Sequence, residues 1–137
     1  MSETNKYFQQ YQGFVDGITS NTSKDTNLLI KRIHELENLG ISFSEMDTAI
    51  SGISGEAGEI SDLWKKVKFH NKPWDDENKQ KMISEAGDML WYMAKLLKTL
   101  DISFEDVIQS NINKLVSRYP GGVFSIEKSE NRSENDK

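Results

Sequence analysis

The 137-residue sequence contains no cysteine and only two prolines, Pro73 and Pro120. Without cysteine the chain can form neither disulfides nor thiolate zinc sites, and it fits a reducing compartment, so we expect a cytoplasmic protein. Few prolines leave long stretches free to be helical. The N-terminal residues lack the basic-then-apolar layout of a signal peptide. The most apolar run, residues 89–97, is too short to span a bilayer and contains Lys95.

The charge balance limits the partners that the chain can have. The formal net charge of -5 argues against binding to a nucleic acid polymer. It leaves room for a small phosphate ligand, because a bound metal ion would offset the ligand's charge locally. The length is that of one domain with a real core. We expect that domain over residues 1–126, followed by a polar, flexible tail over 127–137.

Apolar periodicity predicts an all-α helical bundle of about four to five helices. The predicted helices cover residues 5–17, 25–39, 42–69, 75–100 and 103–119, with a loop at 19–24. Gly40 is predicted to end the second helix. Either Ser42 or Ser44 is predicted to cap the third, with Glu45 completing a capping box for Ser42. On the fourth helix, Met82, Met89, Met93, Leu96, Leu97 and Leu100 are predicted to be mostly buried.

Three glycines inside the third predicted helix, Gly52, Gly55 and Gly58, need an explanation. Each costs about 1 kcal/mol relative to alanine in a helix interior. One explanation is the close approach of another backbone, with Ala86 and Gly87 on the next helix as its partner. The other is that the helix kinks or breaks near residues 52–55.

Two acidic motifs are the most informative feature of the sequence. Glu56 and Glu59 are separated by Ala-Gly, and so are Glu85 and Asp88. Spacing of three residues puts both carboxylates of a pair on one helical face. Four converging carboxylates repel one another unless a cation lies among them, and oxygen ligands favour Mg²⁺, with Mn²⁺ as an alternative. A single such pair is usually a solvated face, but two pairs on adjacent helices weaken that explanation.

Basic and amide side chains continue these faces. Lys66 follows the first acidic pair and Lys95 the second, while Asn111, Lys114 and Arg118 share a face of the fifth helix. A metal ion with nearby ammonium groups is what a polyphosphate requires, so we predict these five residues as substrate-binding. A di-iron bundle needs Glu-x-x-His on two helices and is therefore disfavoured. The calcium-binding and glycine-rich phosphate loops are both missing.

The acidic quartet and its surroundings resemble the all-α nucleotide pyrophosphohydrolases, the MazG and dimeric dUTPase superfamily. The resemblance covers roughly residues 7–126 and includes MazG-like proteins of bacteriophages and cyanobacteria. Its most specific parts are GEAGEI at 55–60, KK at 65–66, EAGDMLWY at 85–92 and NINKLVSRYP at 111–120. Ala86 is a mild departure from the leucine or glutamate that is usual before Gly-Asp.

The resemblance implies hydrolysis of (deoxy)nucleoside triphosphates to the monophosphate and pyrophosphate. Glu56, Glu59, Glu85 and Asp88 correspond to its magnesium-binding positions, and either Glu56 or Glu59 would be the general base. Family members are homodimers or homotetramers, which suits long amphipathic helices, and a phage-encoded member would act in the host cytoplasm. Two alternatives remain: a weakly catalytic nucleotide-binding oligomer, or a hydrolase of another diphosphate linkage such as an alarmone.

Overall fold

A computed structural model describes residues 3–131, and the regular structure in this range is entirely helical. The helices are α1 (Glu3–Ile18), α2 (Asn21–Lys24), α3 (Thr26–Asn38), α4 (Phe43–Phe69), α5 (Asp76–Thr99), α6 (Phe104–Arg118) and α7 (Ile126–Glu130). The predicted all-α fold is therefore confirmed over these residues. None of the described helices is long and apolar enough to cross a membrane.

The chain divides into two compact units, one ending at Phe43 and the other starting at Ser44. A single domain over residues 1–126 and a flexible tail over 127–137 stay predictions. Helix α7 occupies the beginning of that tail, and residues 132–137 lie outside the described residues.

In the first unit, the predicted loop at 19–24 is wrong in part, because α2 forms there. The hydroxyl of Ser20 caps it by accepting a hydrogen bond from the Ser23 backbone N–H at 3.2 Å. Asp25 then ends α2 and begins α3, accepting from the backbone N–H of Asn27 at 2.8 Å. A run of residues that bond their own backbone has here formed one capped helical turn.

The end of α3 follows the prediction. Gly40 has a φ of +83°, a left-handed conformation that glycine adopts without steric cost, so it stops the helix as expected. The start of α4 differs from the prediction, because the backbone N–H of Phe43 donates to Glu37 Oε1 at 2.8 Å. Glu45, predicted to complete a capping box, instead pairs with Lys95 at 3.6 Å.

In the second unit, α4 is unbroken through its three glycines, so the predicted break is wrong, whereas a kink stays a prediction. The other explanation, the close approach of a backbone near Ala86 and Gly87, is also wrong, because a Cβ built on Gly87 would meet nothing within 4 Å. A Cβ built on Gly52 would lie closer than 3.0 Å to three ring atoms of Tyr92, whereas Cβ atoms on Gly55 and Gly58 would meet nothing within 4 Å. The group that approaches Gly52 is thus an aromatic side chain and not the backbone near Ala86.

Helices α4 and α5 form an antiparallel hairpin. Their connector carries Trp74, whose ring packs edge-on against Trp64 with centroids 6.0 Å apart. Asp75 caps α5 as predicted, accepting from the backbone N–H of Asn78 at 2.9 Å. Contacts between Glu45 and Lys95 at the far end confirm that the two helices run side by side in opposite directions.

Few side chains are buried within this chain. Among the described residues only Ala49 and Leu97 are buried, with relative exposures of 0% and 5%. The burial predicted for Leu97 is confirmed, whereas Leu100 is exposed and its predicted burial is wrong in the single chain. The other predicted core residues of α5 are partly exposed: Met82, Met89, Met93 and Leu96. The apolar faces of the helices are therefore only partly covered.

Candidate metal and phosphate site

Three carboxylates meet across the hairpin. Glu56 and Glu59 come from α4 and Glu85 from α5, and one carboxylate oxygen of each lies within 4.8 Å of the other two. Spacing of three residues brings the α4 pair onto one face, and the antiparallel packing sets Glu85 opposite that face. The structure thus brings together three of the four predicted carboxylates within the reach of a single ion.

The electrostatics of Glu56 show how crowded this cluster is. The pKa of Glu56 is raised above its ordinary value of 4.5, first by desolvation and then by the charges of Glu59, Asp88 and Glu85. A hydrogen bond with the Glu85 side chain adds to the rise. Asp88, the fourth predicted carboxylate, is therefore near enough to act on Glu56, although it is outside the group of three. A divalent cation would relieve this repulsion.

The donor set is suited to a hard divalent ion. All four side chains offer carboxylate oxygen, the ligand type that Mg²⁺ and Mn²⁺ prefer. Two oxygens bound to one Mg²⁺ are at most about 4.2 Å apart, twice the usual Mg–O distance of 2.0–2.1 Å. Oxygens within 4.8 Å need only a small inward movement to reach that spacing. The described residues therefore fit a metal ion at this position.

A cavity of about 350 Å³ opens beside the carboxylates. Its lining includes Glu59 and Glu85 together with Lys66 and Asp62. Lys66 Nζ lies 2.6 Å from the Asp62 carboxylate, and Lys65 Nζ lies 2.5 Å from it. Hydrogen bonds from Lys65 and then Lys66 are the main causes that lower the pKa of Asp62 to about 2. Lys66, a predicted substrate-binding residue, thus lines the same cavity as Glu59 and Glu85 and pairs with the Asp62 carboxylate.

Asp62 was not among the residues that the sequence singled out. It lies three residues after Glu59 and four before Lys66, so the signal for it was present in the helical spacing. An aspartate beside two lysines is more often a plain surface ion pair, and only the cavity distinguishes this one.

Lys95 is placed differently from Lys66. It pairs with Glu45 at 3.6 Å, and its side chain is only 25% exposed. It lies about two helical turns beyond Asp88 along α5 and is not among the residues that line the cavity beside the carboxylates. Its predicted role in phosphate binding stays a prediction.

The α6 residues line a separate cavity. Asn111 and Lys114 border a groove of about 610 Å³, together with Ile102, Val107 and Ile108. The guanidinium of Arg118 lies over the Tyr119 ring, 5.9 Å from its centroid. Neither Asn111 nor Lys114 lines the cavity beside the carboxylates within the single chain. Their predicted contacts with substrate also stay predictions.

Comparison with known proteins decides the family. Residues 44–123 match the model of the MazG nucleotide pyrophosphohydrolase domain. The chain belongs to the MazG family. A curated relative, the Gene 37 protein of Mycobacterium phage L5, is 39% identical over 85 residues, which are 61% of this chain and 70% of that protein. No solved structure shows a significant match.

The MazG match lies within the second compact unit. It begins at Ser44, the first residue of that unit, and it contains α5, α6 and all of α4 except Phe43. All of the predicted site residues lie inside it, whereas α1 to α3 and α7 lie outside. The resemblance read from the sequence is thereby confirmed over residues 44–123, and membership assigns the chain, in general terms, to the nucleotide pyrophosphohydrolases.

Proposed function

We propose that this MazG protein hydrolyses (deoxy)nucleoside triphosphates to the monophosphate and pyrophosphate, with Mg²⁺ or Mn²⁺ held by Glu56, Glu59, Glu85 and Asp88. One observation carries the proposal. Three of these carboxylates converge within 4.8 Å from two helices, beside a cavity that contains Lys66. Anionic oxygens and an ammonium group that line one cavity suit a metal–polyphosphate complex.

The reaction requires a proton acceptor and a stabilised leaving group. A water molecule forms a bond to the α-phosphorus while the bond from that phosphorus to the bridging oxygen breaks, and pyrophosphate leaves. Glu56 or Glu59 accepts the water's proton. The metal, when bound, polarises phosphate oxygens and makes the attacking water more acidic.

The basic residues would neutralise the remaining phosphate charge. Lys66 would exchange its ion pair with Asp62 for one with a phosphate oxygen, which keeps the ammonium paired throughout. Asn111, Lys114 and Arg118 are proposed to contact phosphate or sugar, and Lys95 to act from further along α5. For Asn111 and Lys114 the support is their shared face on α6 and the groove that they border.

We also propose that the protein is a homodimer or homotetramer. Support comes from large apolar side chains left exposed on α5 and α6: Ile83, Leu90, Trp91, Ile108, Ile112 and Val116, each between 46% and 61% exposed. A stable interface buries about 800 Å² per partner, and aromatic side chains such as Trp91 bury about 150–250 Å² each. Light scattering should give a mass two or four times 15.7 kDa. A monomeric mass would contradict this part of the proposal.

The function is tested by product analysis on the full chain. Pyrophosphate and monophosphate should be released from a panel of ribo- and deoxyribonucleoside triphosphates when Mg²⁺ is added, and chelation should stop the release. Glu59→Ala and Asp88→Ala should abolish it, and full activity in either variant would refute the metal assignment. Nucleotide binding without turnover, or cleavage only of an alarmone, would favour one of the other two functions.

A further inference from the structure

The contact between Gly52 and Tyr92 lies near the carboxylates along both helices. On α4, Gly52 precedes Glu56 by four residues; on α5, Tyr92 follows Asp88 by four and Glu85 by seven. Residues four or seven apart share a helical face, and four residues rise about 6 Å. The faces that bring the carboxylates together are therefore the same faces that bring the Tyr92 ring onto Gly52.

The ring occupies space that any other residue at position 52 would fill. A Cβ on Gly52 would meet Cγ, Cδ1 and Cε1 of Tyr92 closer than 3.0 Å, a distance that real Cβ atoms essentially never show. Cγ is the root of the ring and not the end of a flexible chain, so the ring cannot swing away cheaply. Tyr92 is also held from the side by Trp91, whose ring stands edge-on with centroids 4.8 Å apart.

Two forces oppose each other along this hairpin. The carboxylates of Glu56 and Glu85 repel and favour a wider separation of α4 and α5 when no metal is bound. The separation of packed helices depends on the side chains at their contact, and a ring lying on a glycine permits a close one. On the other side of Gly52 from the cluster, the ion pair of Glu45 with Lys95 also joins the helices.

We propose that Gly52 and Tyr92 are positioning residues that fix the distance between α4 and α5, and so hold the carboxylates ready for metal binding. The inference rests on the proposed function. Neither residue needs to touch the metal or the substrate, because both act through the spacing of Glu56 and Glu85. Gly52 is thus required for the space that it leaves, whereas Gly55, which faces open space, is not.

The test uses four full-length variants: Gly52→Ala, Tyr92→Ala, the double variant and Tyr92→Phe. Thermal melting with Mg²⁺ alone, without nucleotide, gives the stability and the metal midpoint separately. Gly52→Ala should lower the melting temperature and raise the Mg²⁺ midpoint about tenfold or more, since a misplacement of about 1 Å can cost a factor of 100 in function. Tyr92→Phe keeps the ring and should retain the wild-type midpoint.

The double variant separates the clash from other effects of alanine. The double variant should melt at a higher temperature than Tyr92→Ala, because both lack the ring and alanine is a better helix former than glycine. If Gly52→Ala does not fold, Tyr92→Ala still tests the spacing, since losing the ring should also raise the Mg²⁺ midpoint.

Each remaining outcome counts against the inference. If Gly52→Ala melts at the wild-type temperature, the close contact between Gly52 and the Tyr92 ring is refuted. A lowered melting temperature with an unchanged midpoint overturns the positioning role and leaves only packing. If the wild-type protein itself neither binds Mg²⁺ nor releases pyrophosphate, the proposed function fails first, and the inference fails with it.

Discussion

The carboxylates of Glu56 and Glu85 come from different helices, yet an oxygen of one lies within 4.8 Å of an oxygen of the other. Such an arrangement is unfavourable for two ionised groups, and it raises the pKa of Glu56. The hairpin maintains it through contacts elsewhere, notably at Tyr92. A site of this kind reduces the stability of the metal-free protein, and the protein regains that stability when a cation binds.

Neutralising one carboxylate should therefore stabilise the metal-free protein and weaken its binding of metal. Without metal, Glu85→Gln should melt a few degrees above the wild-type protein, because one repelling charge is gone. With Mg²⁺ the order should reverse, since the variant has lost a ligand and gains little from the ion. Calorimetry in chelator and in Mg²⁺ measures both effects.

The matched control for this prediction is Asp47→Asn. Asp47 is an exposed carboxylate nine residues before Glu56 and so on the opposite face of α4. Its melting temperature should respond to Mg²⁺ as the wild type does. A metal-free Glu85→Gln protein that melts below the wild type would show that the carboxylates do not repel.

The pH dependence of the metal-free protein should reflect Glu56. Its folded-state pKa is raised, so its contribution to stability is fully present below pH 4.5 and is lost as the pH rises through the raised value. The contribution of Asp62 to stability depends on pH in the opposite direction. With its pKa lowered from 3.8 to about 2, its contribution is complete above pH 3.8 and is lost only as the pH falls through 2.

Between pH 7 and pH 4.5 the Glu56 effect can therefore be separated from that of Asp62. The melting temperature in chelator should rise by a few degrees relative to Glu56→Gln as the pH is lowered over this range. In excess Mg²⁺ the trend should reverse, because protons compete with the metal for the same oxygens. Parallel curves for the wild type and Glu56→Gln in chelator would contradict the assignment.

Much of this site was predictable because helical periodicity is local. The spacing of Glu56 with Glu59, and of Glu85 with Asp88, fixes which side chains share a face wherever the helix lies. The cap at Asp75 and the stop at Gly40 are likewise properties of a few neighbouring residues. For these features the sequence and the structure agree, since short-range geometry decides them.

The features that were missed depend on what lies opposite. From the sequence alone, Gly52 is only a residue that weakens the helix. The Tyr92 ring that packs on it comes from another helix, so no local pattern identifies it. Glu45 has the spacing of a capping residue, yet its partner is Lys95 on the next helix. Burial was overestimated for the same reason, because a periodic apolar face such as that of Leu100 does not say whether this chain or another copy covers it.

The capping box of α6 gives a test of stability away from the carboxylates. Ser103 Oγ accepts from the backbone N–H of Asp106 at 3.1 Å, and Asp106 accepts from the backbone N–H of Ser103 at 2.8 Å. Ser103→Ala should reduce the free energy of unfolding by about 1 kcal/mol in urea denaturation. Ser110→Ala, inside the same helix, should not reduce it, because alanine is the better helix former. Equal midpoints for the wild type and Ser103→Ala would count against the cap.

Lys65 and Lys66 form a matched pair for testing the phosphate site. Both pair with Asp62, but only Lys66 lines the cavity that contains Glu59 and Glu85. Lys66→Ala should lower kcat/KM about tenfold or more, since a hydrogen bond to a charged group contributes about 1.5–3 kcal/mol. Lys65→Ala removes an exposed ion pair of small energy and should change kcat/KM less than about twofold. Both variants should keep the wild-type Mg²⁺ midpoint without nucleotide, because neither residue is a proposed ligand. Equal losses of activity in the two variants would mean that general surface charge, and not the cavity, attracts the nucleotide.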